Sequence, residues 1–184
     1  MNKVLFFFLS AFVFWFLFIK SDTVVLGPGV MAPQVPLQEE LRSAKSFVFK
    51  EYRITPLANF EIEAKVLSRE NYSYGREAEL SPTDRAKGGG RLSDEAVIRD
   101  LSICKSGRWY RWQTDKFPIP RSEMEIYSDN IHMIRSDGGV AWTPKDVHVG
   151  DIVQLRGKLV RVNATDGWHW VSLLSRDDTG NGAC

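Results

Sequence analysis

The sequence predicts a mainly β fold, a small barrel with one or two short helices, preceded by an N-terminal transmembrane helix. Three observations predict it: an unbroken apolar run at the start, period-two alternation of apolar and polar residues through much of the rest, and helix-start signals confined to the middle. The boundaries follow as an anchor or signal segment over 1–20, a Pro- and Gly-containing tether over 21–45, and a β-rich globular domain over 46–184.

The leading run comes first. Val4–Ile19 is VLFFFLSAFVFWFLFI, in which only Ser10 is polar, and residues 1–20 hold seven of the eleven Phe. As a helix it is roughly 24 Å long, against a hydrocarbon core of about 30 Å. Lys3 and Lys20 flank it and reach toward the headgroups, which makes up part of the deficit. The competing reading is a cleaved secretory signal. The run, however, ends at Lys20-Ser21-Asp22 rather than at small residues, and the later small-residue pattern Val30-Met31-Ala32 is followed by Pro33. Residues 4–19 are therefore expected to sit in a lipid bilayer as a single pass. The slightly greater positive charge before the run places the C-terminal domain outside the cytoplasm.

Without residues 1–20 the chain carries 22 basic and 23 acidic side chains, so net charge does not drive it onto polyanions, and nucleic acid is an improbable partner. Two cysteines, Cys104 and Cys184, exclude a disulfide-dense scaffold and a four-thiolate zinc site, and leave open both a single bridge and two thiols.

In Phe60–Val66 the residues Phe60, Ile62, Ala64 and Val66 share one face and Glu61, Glu63 and Lys65 the other, which is a half-buried strand. Ser46–Ile54 repeats the pattern more faintly and is expected to break at Pro56. Further strands are expected at Trp109–Trp112, Ile131–Arg135, Ile152–Val162 and Trp168–Leu174. Ser81-Pro82-Thr83-Asp84 carries a helix-start pattern that the glycines at 88–90 would stop, and Ser93-Asp94-Glu95 opens a second helix through Leu101. Gly157 interrupts a long alternating stretch, where a bend would let one strand serve both halves of a barrel. Val149–Val160 resembles the strand pattern of oligonucleotide/oligosaccharide-binding folds.

Several phrases between residues 60 and 184 resemble an uncharacterised family of small bacterial proteins with an N-terminal membrane anchor. They are Phe60–Val66, Arg76–Pro82, Leu92–Glu95, Gly107–Trp112, Phe117–Arg121, Ser128–His132 and Leu174–Gly180. The family has an apolar, Trp-bearing stretch where this chain has Arg85–Gly90, and continues past Cys184 with another short strand. The resemblance implies an inner-membrane address with a periplasmic domain and a rough fold; it implies no activity.

Cys104–Arg121 is the most distinctive constellation. Lys105, Arg108, Arg111, Lys116 and Arg121 against Asp115 give it a net charge of +4, with Trp109, Tyr110, Trp112 and Phe117 interleaved. Such a segment can grip an anionic ligand or a protein partner, and the expected contact residues are Arg108, Tyr110, Arg111, Trp112 and Arg121. Alternation divides them between two faces, so one aromatic set is expected to be core. His132 and His169 are candidates for a general base in a small anchored hydrolase. No metal-ligand spacing, phosphate loop or nucleophile elbow is present, and no cofactor is expected. The acidic turn Ser175–Gly182 lacks the spacing of an EF-hand. The leading expectation is a membrane-anchored domain outside the cytoplasm that acts by binding or assembly. The rivals are the hydrolase and a polyanion-binding barrel face.

Overall fold

The structure, a computed structural model, describes residues 23–134 and 147–175. The anchor expected over 1–20, the carboxylates of the 175–182 turn and Cys184 lie outside the described residues. Among those described, no helix is long and apolar enough to cross a membrane.

One strand organises the fold. β1 (Leu37–Glu40) and β2 (Phe47–Phe49) precede β3, which runs for twenty residues from Tyr52 to Asn71. From Tyr52 to Val66 every second side chain of β3 is buried, so burial follows the apolar alternation along almost the whole strand. Along one edge β3 pairs with β2, then β1, then β4 (Thr83–Gly88). The opposite edge belongs to β8 (Ile152–Asn163), which stays in register from Arg53↔Asn163 to Lys65↔Ile152 apart from one bulge. β7 (Ser128–His132) adds outside β4, and β9 (His169–Val171) outside β8; every pairing is antiparallel. The sheet order is thus β7-β4-β3-β8-β9. The His132 ring on the first of these strands nevertheless lies 5.1 Å from the Trp170 ring on the last. That contact requires the sheet to curl until its two ends approach, and the result is a half-barrel.

Among the described residues, three short helices, α1 (Arg76–Leu80), α2 (Glu95–Ile98) and α3 (Arg121–Tyr127), accompany a separate hairpin of β5 (Ser102–Ser106) and β6 (Trp109–Gln113). Buried apolar side chains among the described residues form three clusters. Tyr52, Ile54, Leu80 and Val162 gather with Trp168 and Trp170 packed against them. Phe60, Ile62 and Ala64 meet Leu155, Leu159 and Ile131. Leu92, Leu101, Ile119 and Met124 pack beneath Ile103 and Trp112 of the hairpin. Ile103 and Trp112 are half-buried against this cluster, and that apolar contact seats the hairpin on the domain.

Three expectations are corrected. Pro56 does not end a strand; it lies inside β3, opposite Val160 and next to the bulge before Ala58. On the other edge the pairing with β2 ends at Phe47↔Ile54 and that with β1 begins at Glu40↔Ala58, so no ladder partner needs the N–H that proline lacks. Ser81–Asp84 does not open a helix. α1 ends at Leu80, and Thr83–Gly88 is a strand because both of its faces are covered, leaving Asp84, Arg85 and Lys87 without exposed surface. Gly157 does not interrupt its strand: β8 pairs straight through Phe60↔Gly157, and the one irregularity of this ladder lies at Pro56/Ala58. The second helix start holds: Asp94 caps α2 by accepting from the Ala96 N–H at 2.8 Å, although the helix ends at Ile98.

The Pro/Gly segment is extended, and the domain holds it. Val24 N–H donates to Val149 O at 2.7 Å, and Gly29 N–H to Asp94 Oδ1 at 2.9 Å. Ser93 Oγ accepts from both Met31 and Ala32 N–H at 2.9 Å. Ala32, with no exposed surface, bridges Gly90.

Candidate functional site

The hairpin carrying the cationic and aromatic residues turns through Gly107 and Arg108, with φ of 55° and 68°. Two left-handed residues make the tight turn that matches strand twist, but the second position normally falls to glycine. Arg108 tolerates it because nearly every polar group it has is engaged. Its N–H donates to Tyr72 Oη at 3.0 Å, and its carbonyl accepts from Asn130 Nδ2 at 2.8 Å. Its guanidinium donates to Asp84 Oδ1 at 3.3 Å and to Ser81 O at 3.1 Å. The same group stacks 4.2 Å from the Tyr72 ring centroid and 5.6 Å from that of Trp170.

Asp84 is the centre of this arrangement. It is fully buried on β4, directly opposite His132 on β7, whose Nδ1 contacts its Oδ1. Lys105 Nζ, from β5, lies 4.0 Å from Oδ2 and also donates to Asn130 Oδ1. One carboxylate therefore faces a guanidinium, an ammonium and an imidazole from two other strands and a turn. Burial, and then the neighbouring Asp84 carboxylate, push the Tyr72 phenol well above its ordinary value, so it stays a neutral hydrogen-bonding group. On the other face of β4, Lys87 is cross-strand from Asp129. Burial pushes its ammonium down to about 7, with Asp129 opposing the shift. Arg85, opposite Arg69 on β3, is lowered to about 10 by burial and then by that like charge.

The expected contact residues divide between clamp and surface. Arg108 and the inner side of Tyr110 and Trp112 face the domain; Trp112 meets the Phe117 ring edge-on at 5.5 Å, and Arg121 lies over Trp112 at 5.7 Å. Arg111 faces outward together with Trp109, which is 38% exposed, and with Ser102, Cys104, Ser106 and Gln113. Arg121 is exposed and donates to Glu125 at 2.8 Å. These exposed positions alternate with half-buried ones along both strands, so among the described residues the hairpin presents one uncovered face. His132 is drawn into the clamp with its side chain 5% exposed, whereas His169 is exposed on β9 opposite Asn163. The two histidines do not share a cleft. An open groove lined by Tyr72–Arg76, Ala78 and Glu79 lies beside the clamp.

Among the described residues no group of three or more His, Cys, Asp and Glu converges to hold a metal ion. Of the clamp residues, Lys105 and Arg108 belong to the cationic segment read from the sequence, whereas Asp84, Tyr72 and Asn130 carry no site signal of their own there. The nearest to one is that Asp84 is the only carboxylate in the otherwise basic or neutral stretch 81–90. No family model, curated protein or solved structure matches the chain.

Proposed function

We propose that the chain is held in a membrane by residues 4–19 and presents the half-barrel outside the cytoplasm as a binding or assembly module, with the outer face of the β5–β6 hairpin as its contact surface. The observation that carries this reading is the pairing of a rigid clamp with an uncovered face. Asp84, Tyr72 and Asn130 fix the hairpin tip from within, while Trp109 and Arg111 stand side by side in the solvent. Preorganised Trp and Arg side chains lose little conformational freedom on contact, and they dominate the energetics of protein interfaces. A protein partner fits better than a polyanion, because Lys105 and Arg108 are committed inside the clamp and Arg121 is bound to Glu125.

Retention of the anchor is supported by Ala32. A cut after the small-residue pattern Val30-Met31-Ala32 would remove a segment tied to Val149, Asp94, Ser93 and Gly90, with Ala32 itself buried. To test the surface, the full chain carrying Trp109→Ala and Arg111→Ala is compared with the unaltered chain for cross-linked complexes in intact cells. Loss of the complexes, with the unfolding midpoint unchanged, is expected; complexes of unchanged yield would end the reading.

A second reading, the anchored hydrolase, is favoured only by the contact between His132 Nδ1 and Asp84, since a carboxylate there orients an imidazole as a general base. Against it, Trp170 covers the ring and Arg108 and Lys105 compete for the same carboxylate. It predicts that His132→Gln abolishes function while stability is kept.

A further inference from the structure

We infer that the domain lies flush on the bilayer, with Val25 and Leu26 resting among the lipid headgroups. This rests on the proposed anchoring by residues 4–19 and adds to it an orientation and a lipid-contacting surface.

The argument starts from chain length. A free tether over 21–45 would behave as a coil of about 25 residues, placing the domain roughly 25–30 Å from its point of exit. The segment is not free. From Val24 onward it is bonded to the domain at Val149, Asp94, Ser93 and Gly90. Only residues 20–23 separate Ile19, the last residue of the apolar run, from that first docked position. Fully extended, the five steps from Ile19 to Val24 span at most about 18 Å. The headgroup region on one side of the bilayer takes up roughly 5–8 Å of that distance. The docked segment therefore begins at the membrane surface, and the domain surface around it has no room to stand away.

The side chains at that point suit the location. Val25 is 72% exposed and Leu26 is 42% exposed, two adjacent aliphatic groups at the surface. Their exposure is costly in water and favourable in the interfacial zone. The charged groups bonded to this segment are carboxylates: Asp94 holds Gly29, and Glu95, paired with the buried Lys65, accepts from Leu26 N–H. The contact is therefore apolar and independent of anionic lipid; a polybasic surface would behave in the opposite way. Gly150 marks how closely the segment lies on the domain, since a Cβ there would fall 1.7 Å from Val24 O.

The test uses the full chain with Cys104→Ser and Cys184→Ser, reconstituted in phosphatidylcholine vesicles with acyl chains brominated near the headgroup. An environment-sensitive fluorophore is placed on Val25→Cys, on Leu26→Cys or, as the distal reference, on Arg53→Cys, an exposed position at the opposite end of β3 from Val66, whose carbonyl accepts from Gly150 N–H. At least twofold quenching is expected at 25 and 26, with none at 53, and the pattern should not change when a third of the lipid is replaced by phosphatidylglycerol. Equal emission at all three positions, in chains that stay with the vesicles through an alkaline wash, would overturn the flush orientation and leave the anchor standing. Release of the chains by that wash would overturn both.

Discussion

Asp84 on β4, with no exposed surface, holds Arg108 at the hairpin tip from 3.3 Å. The carboxylate is also the counter-charge for Lys105 and the contact for His132. Neutralising it leaves two cations and an imidazole crowded in a dry site. Asp84→Asn is expected to cost about 3–5 kcal/mol in chemical denaturation, the range for breaking one side of a buried ion pair. Arg108→Lys should fall in between, because lysine keeps the charge and loses both the planar fork and the stacking on Tyr72 and Trp170.

Ser93 Oγ donates to Gly90 O at 2.6 Å and accepts from the Met31 and Ala32 amides. Ser93→Ala removes the acceptor from two amides at once. A loss of about 1–3 kcal/mol is expected, measured as a lower denaturation midpoint.

Gly150 has φ of +96° and lies directly against Val24. Gly150→Ala is expected to displace the 23–32 segment while leaving the sheet paired. Limited proteolysis checks this: cleavage within 23–32 should accelerate several-fold, with the fragment from residue 37 onward persisting.

The stability of the protein should depend on pH through Lys87. Its ammonium is lowered to about 7 by burial, from an ordinary value of 10.5. Between these values the unfolded chain binds a proton that the folded protein releases, so stability rises from pH 7 to pH 10. Below pH 7 the cost of the buried charge is fully present. Above pH 10 the trend reverses, because burial pushes Tyr52 up to about 12 and raises Tyr72, so that only the unfolded chain ionises readily. The denaturation midpoint should therefore peak near pH 10, and Lys87→Met should flatten the rise from pH 7.

The alternation of Phe60–Val66 made the centre of β3 legible because its apolar face is buried, and Ile152–Val162 was legible from its apolar residues although only Val162 of β8 is fully buried. Trp109–Trp112 was legible for the same reason. β4 was not: its charged residues are buried on both faces, and period-two reading depends on one face being polar and the other apolar. Pro56 misled because its tolerance depends on where β1 and β2 stop, which is a property of the neighbouring strands. The cationic segment was recognised as important from composition, but its division into an inner clamp and an outer face depended on Asp84, Tyr72 and Asn130, each distant in sequence.

The length of β3 bears on how the chain acquires its shape during synthesis. Arg53 opposes Asn163, 110 residues further along the chain. At about 5–20 residues per second, translation needs roughly 5–20 s to deliver the second strand after the first is complete. For that interval a twenty-residue strand has no partner along one edge, which invites pairing with other nascent chains. Productive folding is consequently slow and non-local, and it falls late in the life of the nascent polypeptide. A holdase that shields β3 until β8 arrives should raise the yield more than one acting after release.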